Sequence, residues 1–279
     1  MTTLQQRIRD FYDTSSALWE NAWGEHMHHG YYGRDGRRQV NHYQAQIDLI
    51  EELRTWGGVD GFESMLDAGC GIGGSTTYLV ERYGGRGAGI TLSPRQADRA
   101  RERAEALGLG ERCDFRTADA MNPPFSEESF DLLWSLESGE HMPDKGGFVA
   151  ACRRMLRPGG RLLMATWCHR PAPEGLTADE EAFLDDLCDA YHLPYLISIE
   201  EYRRLAEEAG FADVRIDDWT AAVAPFWKAV VKSAFQPSNM LGVMRAGWPT
   251  IRGALAMKYM IQGYRSGLVR FGVLSGVRR

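Results

Sequence analysis

The sequence contains no long apolar run, and this absence argues against a membrane-spanning helix. No window approaches the roughly 20 uninterrupted apolar residues that such a helix requires. The first residues, MTTLQQRIRDFYD (1–13), carry charges where a secretory signal peptide needs an apolar stretch. We therefore expect a cytoplasmic protein that is neither secreted nor inserted in a bilayer.

Cysteine is also scarce, with five residues and no C-x-x-C pair, so neither a disulfide framework nor a zinc site is indicated. His26, His28 and His29 lie close together in the chain, but no distant cluster of Cys, His or acidic residues completes a tetrahedral ligand set. We expect a reducing compartment and no bound metal.

Acidic residues are absent after Asp218, although nine Lys and Arg residues follow it. Because the whole chain has a formal net charge of −6, the acidic excess lies in the residues up to Asp218. This balance argues against a nucleic-acid binder, but it leaves open a reversible contact between the C-terminal segment and an anionic membrane surface. An uneven, solvated surface is the plain alternative.

Elsewhere, short apolar runs alternate with helical patterns. Repeats of strand, helix and strand predict an α/β fold with a doubly wound, mostly parallel sheet covered by helices on both faces. The expected strands lie near 64–68, 87–92, 114–117, 130–135, 161–167, 212–219 and 268–274. We predict one domain, 1–279, made of an N-terminal helical cap at 1–38, a core at 39–170, a helical lid or insert at 171–267 and a final strand at 268–279.

The strongest motif is DAGCGIGG (67–74), which follows the first predicted strand and precedes a helix. Gly69, Gly71 and Gly73 permit a tight turn and a close approach of the backbone to a ligand, which a side chain would prevent. The carboxylate of Asp67 is suited to polar groups at the amino-acid end of a cofactor. Ligands bind at the carboxyl ends of the strands in such sheets.

The same glycines, with Gly74, also fit the G-x-G-x-x-G pattern of dinucleotide-binding oxidoreductases. That pattern expects an acid about 20 residues further on, whereas the second predicted strand ends in GITLS (89–93). Asp119 and Ala120 follow the third strand, where class I methyltransferases place an acid against the adenine amino group. A methyltransferase is therefore favoured over a dehydrogenase, and a turn cap is the structural alternative for Asp119.

Further segments resemble the gamma-tocopherol methyltransferase family. The segment WSLESGEHMPD (134–144) is similar to the one that follows the fourth strand in that family. Five further segments also resemble that family, namely WENAWGEHMHHGYY (19–32), GITLSP (89–94), ATWCHR (165–170), VAPFW (223–227) and GLVRF (267–271). The similarity covers nearly the whole chain.

The resemblance implies a Rossmann-like class I methyltransferase fold, S-adenosyl-L-methionine as cofactor, and a lipid-like acceptor. The implied reaction is methyl transfer to an aromatic carbon of a prenylated chromanol, from gamma- to alpha-tocopherol and from delta- to beta-tocopherol. Related enzymes methylate benzoquinols or an amine nitrogen, so a different small-molecule acceptor is the alternative. A non-catalytic lipid-binding relative is a third hypothesis, but such a relative would tolerate loss of the glycine turn or of Asp67, and both are present.

The resemblance also implies further cofactor contacts. Thr91 stands where most class I methyltransferases have an acid, and Thr91, Leu92 and Gln96 are expected to contact the ribose through uncharged groups. Ser135 and Ala120 belong to the same expected set. The aromatic and histidine side chains of the cap are expected to close over the methionine end of the cofactor, with ordinary core packing as the alternative. These cap residues are Tyr12, Trp23, His26, His28, His29, Tyr31 and Tyr32.

Methylation of a carbon beside a phenol is assisted when a base removes the phenolic proton, because the phenolate donates more electron density to the ring. Glu137, Glu140 and His141 fall just beyond the fourth strand. We predict His141 as the base, since imidazole has the ordinary pKa best suited to proton transfer. Capping or orientation of the following helix is the alternative for His141 and Glu140, and His169 is a weaker candidate.

A tocopherol's isoprenoid tail keeps it in the bilayer, so the acid-free segment is a candidate for membrane docking. Its basic and aromatic residues are interleaved, a mixture suited to headgroup charge and the acyl boundary. The alternative is that the aromatic residues face the core. The predicted docking residues are Phe226, Trp227, Lys228, Lys232, Phe235, Arg245, Trp248, Arg252, Lys258, Tyr259, Tyr264, Arg265 and Arg270.

Overall fold

The computed structural model of the chain describes residues 6–10, 13, 20, 24–234 and 247–279, with the backbone alone for 231–234 and 247–255. In this part of the chain seven strands form one sheet. They are β1 (Ser64–Ala68), β2 (Arg86–Thr91), β3 (Cys113–Thr117), β4 (Phe130–Leu136), β5 (Leu156–His169), β6 (Phe211–Asp218) and β7 (Val269–Arg278).

The strand order across the sheet is β3-β2-β1-β4-β5-β7-β6. The first five strands pair in parallel, and β7 lies antiparallel between β5 and β6. The predicted Rossmann-like, doubly wound and mostly parallel sheet is therefore confirmed.

Helices cover both faces of the sheet. They are α1 (His42–Trp56), α2 (Gly74–Tyr83), α3 (Pro94–Ala106), α4 (Lys145–Met155), α5 (Ala178–Tyr191), α6 (Ile199–Glu208), α7 (Thr220–Val223), α8 (Pro225–Ala234) and α9 (Gly247–Ser266), with a 3-10 turn at Gly139–His141.

Local sequence determines where several helices begin. Helix α1 begins after Asn41, whose side chain accepts a backbone N–H of the first turn. Helices α5 and α6 each begin with a capping box, formed by Thr177 with Glu180 and by Ser198 with Glu201. These reciprocal hydrogen bonds satisfy N–H groups that a helix leaves unpaired at its start.

Successive strand residues point to opposite faces and are buried on both. In β4, Leu132 and Trp134 pack in the cluster that includes α1, whereas Leu133 packs in the cluster that includes α4. Burial on both faces explains why the strands read as continuous apolar runs.

The N-terminal segment at residues 24–32 packs against α1 and α7. The Tyr31 N–H donates to the Ala45 carbonyl at 2.7 Å, and the Tyr32 N–H donates to the Ala222 carbonyl at 2.8 Å. The Gln46 side chain donates to the His28 carbonyl at 2.9 Å. These bonds fix the segment across the carboxyl ends of the strands.

Two of the aromatic residues predicted to dock on a membrane, Phe226 and Trp227, are buried in the protein instead. Phe226 and Trp227 are 0% and 1% exposed, because their rings pack around His29 with centroid distances of 5.2 and 5.1 Å. Lys258 and Arg265 are exposed. Among the described residues, no helix is both long and apolar enough to cross a bilayer. The predicted docking residues Lys232, Phe235, Arg245, Trp248 and Arg252 lie outside the described side chains.

Candidate active site

A cleft opens at the carboxyl ends of the parallel strands, where the chain reverses its direction across the sheet between β1 and β4. Its empty volume is about 1070 Å³, part of it open to solvent. One side, here named the glycine half, is lined by residues within 67–75, 90–96 and 118–120. The opposite side, the histidine half, is lined by residues 25–28 and by residues within 136–143.

The glycine turn packs closely against the rest of the protein at Gly69 and has open space beside it at Gly71. Gly69 has φ +107°, and a Cβ added there would lie 2.2 Å from the Ser138 Cβ. Gly71 has φ +52°, and an added Cβ would meet no atom within 4 Å. Gly73, at φ +78°, packs against Ala100 and does not line the cleft. The turn therefore presents bare backbone to the cleft at Gly71, as close approach of a ligand requires.

Asp67, at the end of β1, is a buried acid that lines the cleft. Its Oδ2 accepts a hydrogen bond from the Thr76 hydroxyl at 2.7 Å. Burial raises the pKa of Asp67 to about 7, although the Thr76 bond opposes this shift. A cationic ligand group would favour ionisation of this carboxyl.

The predicted ribose residues lie together after β2. The Thr91 hydroxyl donates to Gln96 Oε1 at 2.7 Å. Both of these side chains are buried, and both residues line the cleft together with Leu92. Ser93 caps α3 by accepting the Gln96 N–H at 3.1 Å. The pair thus offers neutral polar groups at this edge of the cleft.

Asp119 and Ala120 line the cleft after β3. The Asp119 Oδ1 accepts the Met121 N–H at 2.9 Å, so the turn-cap role is present. The side chain is only partly buried and also lines the cleft. The two roles considered for Asp119 are therefore compatible.

Two histidines of the N-terminal segment face the cleft. His26 and His28 are 8% and 4% exposed, with ring centroids 5.5 Å apart. Burial lowers the pKa of His26 to about 3 and also lowers the pKa of His28. Their Nδ1 and Nε2 atoms, respectively, have no hydrogen-bond partner in the described part of the chain. Both rings are therefore neutral groups suited to a polar ligand.

Of the two glutamates predicted after β4, Glu137 lines the cleft and Glu140 does not. The Glu137 side chain is 7% exposed and accepts bonds from the His29 N–H at 2.6 Å and Trp167 Nε1 at 3.0 Å. The His29 Nδ1 lies 2.8 Å from its Oε2. Burial raises the pKa of Glu137, but the charge and hydrogen bonds of His29 outweigh burial and lower it overall.

The other two predicted catalytic residues have different positions. His141 lines the cleft, and burial, with the charge of Lys145, lowers its pKa to about 3. Glu140 points away from the cleft, where its Oε2 accepts the Thr166 hydroxyl at 2.8 Å. Burial, with repulsion from Glu137, raises the pKa of Glu140 to about 8. Glu140 is therefore placed as a buried support of the 3-10 turn.

Several other predicted contacts lie outside the cleft lining. Ser135 is buried behind it and bonds to the Ser138 hydroxyl at 2.8 Å. Tyr31 and Tyr32 belong to the hydrophobic core. The His169 Nδ1 lies 2.6 Å from the Arg170 carbonyl, away from the cleft. The predicted cap residues Tyr12 and Trp23 fall outside the described residues.

Sequence reasoning missed the residues that support the site from a distance. Thr76, which bonds Asp67, and Ser138, which donates to the Ala68 carbonyl at 2.5 Å, were not singled out. The pairing of His29 with Glu137 was also missed, although each residue was a candidate alone. No local pattern connects positions 108 residues apart.

Comparison with known proteins places these features in context. Residues 66–164 match the family described as a methyltransferase domain. A probable chloroplastic tocopherol O-methyltransferase of Oryza sativa subsp. japonica is 46% identical over 281 residues, 98% of this chain and 78% of that protein. The chloroplastic tocopherol O-methyltransferase of Arabidopsis thaliana is 42% identical over 98% of this chain and 82% of its own length.

A similar fold occurs in solved structures. Geranyl diphosphate methyltransferase, in complex with its diphosphate substrate and sinefungin, superimposes with a TM-score of 0.81 over 99% of this chain and 100% of that one. The sequence identity is 21%, so this likeness concerns the fold.

Proposed function

The chain belongs to the tocopherol-type class I S-adenosylmethionine-dependent methyltransferases, and on that premise we propose that it methylates a ring carbon of a prenylated chromanol. The proposed conversions are gamma- to alpha-tocopherol and delta- to beta-tocopherol. S-adenosylmethionine is the cofactor. The rice and Arabidopsis proteins are named O-methyltransferases, so the choice of carbon over oxygen is part of the proposal.

The glycine half fits this cofactor. The open backbone at Gly71 leaves room for it, and Asp67 would hold the ammonium group of its methionine part. Thr91 with Gln96 would hold the ribose, and Asp119 the adenine amino group. When bound, the cofactor supplies a sulfonium methyl group, to which the ring carbon bonds while the methyl–sulfur bond breaks and its electron pair stays on sulfur.

His26 and His28 would border the methionine part or the acceptor. Both residues line the cleft, and His26 Nδ1 and His28 Nε2 are buried without a hydrogen-bond partner among the described residues. An added Cβ on Gly74 would lie 2.9 Å from the His26 Nδ1, so this ring lies directly on the turn. Both histidines would also exclude water from the reacting groups.

One observation carries the proposed chemistry, namely that Glu137, an acid with a side chain only 7% exposed, is part of the cleft lining. As a phenolic ring attacks through carbon, its oxygen becomes a protonated carbonyl, which is far more acidic than a phenol. A carboxylate with a lowered pKa is therefore basic enough to take that proton. The ring C–H proton is then lost to solvent through the open part of the cleft, which restores aromaticity, and the phenolate oxygen regains its proton from Glu137.

The same carboxylate supports transfer to carbon. A base that holds the phenolic oxygen directs that atom towards Glu137 and presents the neighbouring ring carbon to the methyl group. Glu137 also stabilises the positive charge that develops on the ring, an effect that is large in a site with little water.

The test is methyl transfer from labelled cofactor to gamma-tocopherol, delta-tocopherol, a prenylated benzoquinol and an amine. We expect the chromanols to be the best acceptors and NMR of the product to show a new ring methyl group. A methoxy product would disprove transfer to carbon, and transfer to the amine alone would disprove the acceptor class.

An amine acceptor is the second candidate, because a largely buried acid in the lining of the cleft would also hold an ammonium group. The amine arm of the same assay decides between the two candidates.

We also propose reversible docking of α9 on anionic membranes, since Lys258 and Arg265 are exposed there. Each exposed basic residue contributes about 1 kcal/mol near an anionic surface. Wild-type protein should co-sediment with anionic vesicles at low salt, and Lys258→Glu with Arg265→Glu should reduce binding. Equal sedimentation with neutral vesicles would refute this proposal.

A further inference from the structure

Glu137 is held from three directions by groups that are distant in sequence. The His29 N–H donates to Oε1 at 2.6 Å, the His29 Nδ1 lies 2.8 Å from Oε2, and the Trp167 Nε1 donates to Oε2 at 3.0 Å. On the opposite side of the imidazole, the Tyr264 hydroxyl lies 3.2 Å from Nε2. The four residues form a continuous hydrogen-bonded chain from the cleft wall to α9.

The backbone conformation of Glu137 indicates that this hydrogen-bonded chain has a function beyond stability. Its φ is +54°, in the left-handed region that a non-glycine residue adopts at a cost of about 1 kcal/mol or more. His29 is 1% exposed, enclosed by the rings of Trp167, Phe226, Trp227, Tyr264 and Phe271 at centroid distances of 5.1 to 5.9 Å. The enclosure fixes the imidazole, and the imidazole fixes a strained glutamate.

We infer that His29 is the positioning residue that holds Glu137 ionised and aimed into the cleft, and that this pair, rather than His141, removes the acceptor's proton. The inference rests on the proposed methyl transfer. It gives the N-terminal segment a specific role, because the base is complete only when residues 24–32 lie across the sheet.

The hydrogen-bond assignment follows from the contacts. The His29 Nδ1 carries a proton and donates to Glu137, and Nε2 faces the Tyr264 hydroxyl, which can donate to a neutral imidazole or accept from a charged one. When the proton of the acceptor reaches Glu137, the imidazole and the Trp167 N–H still hold the carboxyl group in place. Glu137 is the group that touches the acceptor, and His29 acts through it.

The electrostatic surroundings favour the same assignment. Burial alone would raise the pKa of Glu137, and His29, with a smaller contribution from His28, lowers it. Three further titratable groups interact electrostatically with Glu137, namely Glu140, His141 and Tyr264. Removing the imidazole takes away the largest contributions that oppose burial and leaves only His28 and the backbone N–H of residue 29, so the pKa of Glu137 should shift upward.

Three variants separate positioning from general structural support. His29→Leu removes both the ring donor and the charge, His29→Asn keeps an N–H donor near the Nδ1 position, and Tyr264→Phe removes only the contact on the far side of the ring. We expect kcat to fall about 100-fold or more in His29→Leu, to recover about ten-fold in His29→Asn relative to His29→Leu, and to change less than ten-fold in Tyr264→Phe.

The pH profile of kcat distinguishes this role from a loss of folded protein. Activity requires ionised Glu137, so it declines on the acidic side as pH falls through the pKa of that carboxyl. In His29→Leu the acidic limb should move to higher pH, whereas a merely structural residue would lower the plateau without moving the limb. An unmoved limb in His29→Leu, or the same movement in His141→Ala, would overturn the inference.

A measurement without any acceptor keeps the inference separate from the proposed function. Infrared difference spectra of wild type against Glu137→Gln identify the band of the Glu137 carboxyl group. Because the pKa of this group is lowered from its ordinary value of 4.5, we expect the group to be ionised at pH 5. In His29→Asn, which preserves the donor and the fold, protonation should occur at higher pH than in wild type. A protonated wild-type carboxyl at pH 5 contradicts the inference, whatever the acceptor assay shows.

Discussion

The two halves of the cleft are assembled over different distances along the chain. In the glycine half, the key contacts join near neighbours, such as Asp67 with Thr76 and Thr91 with Gln96, which are nine and five residues apart. In the histidine half, Glu137 is 108 residues from His29, which is 235 residues from Tyr264. The proposed cofactor contacts therefore depend on local motifs, whereas the proposed acceptor chemistry depends on the complete fold.

This difference predicts how each half responds to mutation. Changes in the glycine half should act on cofactor affinity through a few contacts. Changes in the histidine half should act on turnover, because its members hold one another in place and their effects are coupled.

The largest expected effect is on turnover. Glu137→Gln should lower kcat by roughly 10² to 10⁴, the usual contribution of a general base, because the amide cannot accept the proton. His141→Ala should lower it less than ten-fold, since Glu137 rather than His141 takes the proton in the proposed reaction. Rapid-quench assays measure both.

Affinity for S-adenosylhomocysteine, measured by calorimetry, should change less than about three-fold in Glu137→Gln. If His141→Ala is the more damaged variant, the sequence-based choice of His141 as base is right and the histidine half does not work through Glu137.

The second-largest expected effect is on cofactor affinity, and it differs between Gly69 and Gly71 of the glycine turn. Gly69→Ala places a Cβ 2.2 Å from the Ser138 Cβ at φ +107°, so the turn must shift and affinity for S-adenosylhomocysteine should fall about 100-fold or more. Gly71→Ala meets no protein atom within 4 Å, so the ligand-free protein should lose only about 1 to 2 kcal/mol of stability from the positive φ. Thermal unfolding and calorimetry measure the two effects.

The matched glycines also test whether the cofactor approaches this backbone. Gly71→Ala should weaken binding although an added Cβ meets no atom of the ligand-free protein within 4 Å. Unchanged affinity in Gly71→Ala would show that the ligand lies elsewhere in the cleft.

A smaller effect depends on pH. Burial raises the pKa of Asp67 to about 7, so the ligand-free protein should lose stability as pH rises from about 4 through 7. A cationic ammonium favours the carboxylate, so affinity for S-adenosylhomocysteine should rise as pH rises from 5.5 to 7.5. Asp67→Asn should weaken binding about 10- to 100-fold, from a charged hydrogen bond of about 1.5 to 3 kcal/mol.

Asp67→Asn should also abolish both pH dependences, because the amide does not titrate. Calorimetry across this pH range tests the idea, with Thr76→Val as a control that keeps the acid. A variant with wild-type affinity at every pH would exclude Asp67 as the ammonium partner.

The sequence revealed much of the fold because each strand and cap is encoded locally. The alternation of strands and helices, the DAGCGIGG turn and the capping residues Thr177 and Ser198 all lie within short windows. Burial of Glu140 and the core positions of Phe226 and Trp227 were not predictable in this way. Those properties depend on which distant elements pack over a residue, and a charge or ring has the same local pattern in either environment.

The smallest expected effect concerns Asp119, whose carboxylate has two roles to separate. Its Oδ1 accepts the Met121 N–H at 2.9 Å, and Asp119→Asn keeps an oxygen for that bond while removing the charge. Affinity for S-adenosylhomocysteine should fall about three- to ten-fold in Asp119→Asn, with the melting temperature unchanged, because a neutral acceptor is weaker than a charged one. Asp119→Ala should lose both affinity and, through the broken turn bond, about 0.5 to 1.5 kcal/mol of stability. If the two variants lose stability equally and neither loses affinity, Asp119 is only a turn cap, and the cofactor contacts of the glycine half end with the residues after β2.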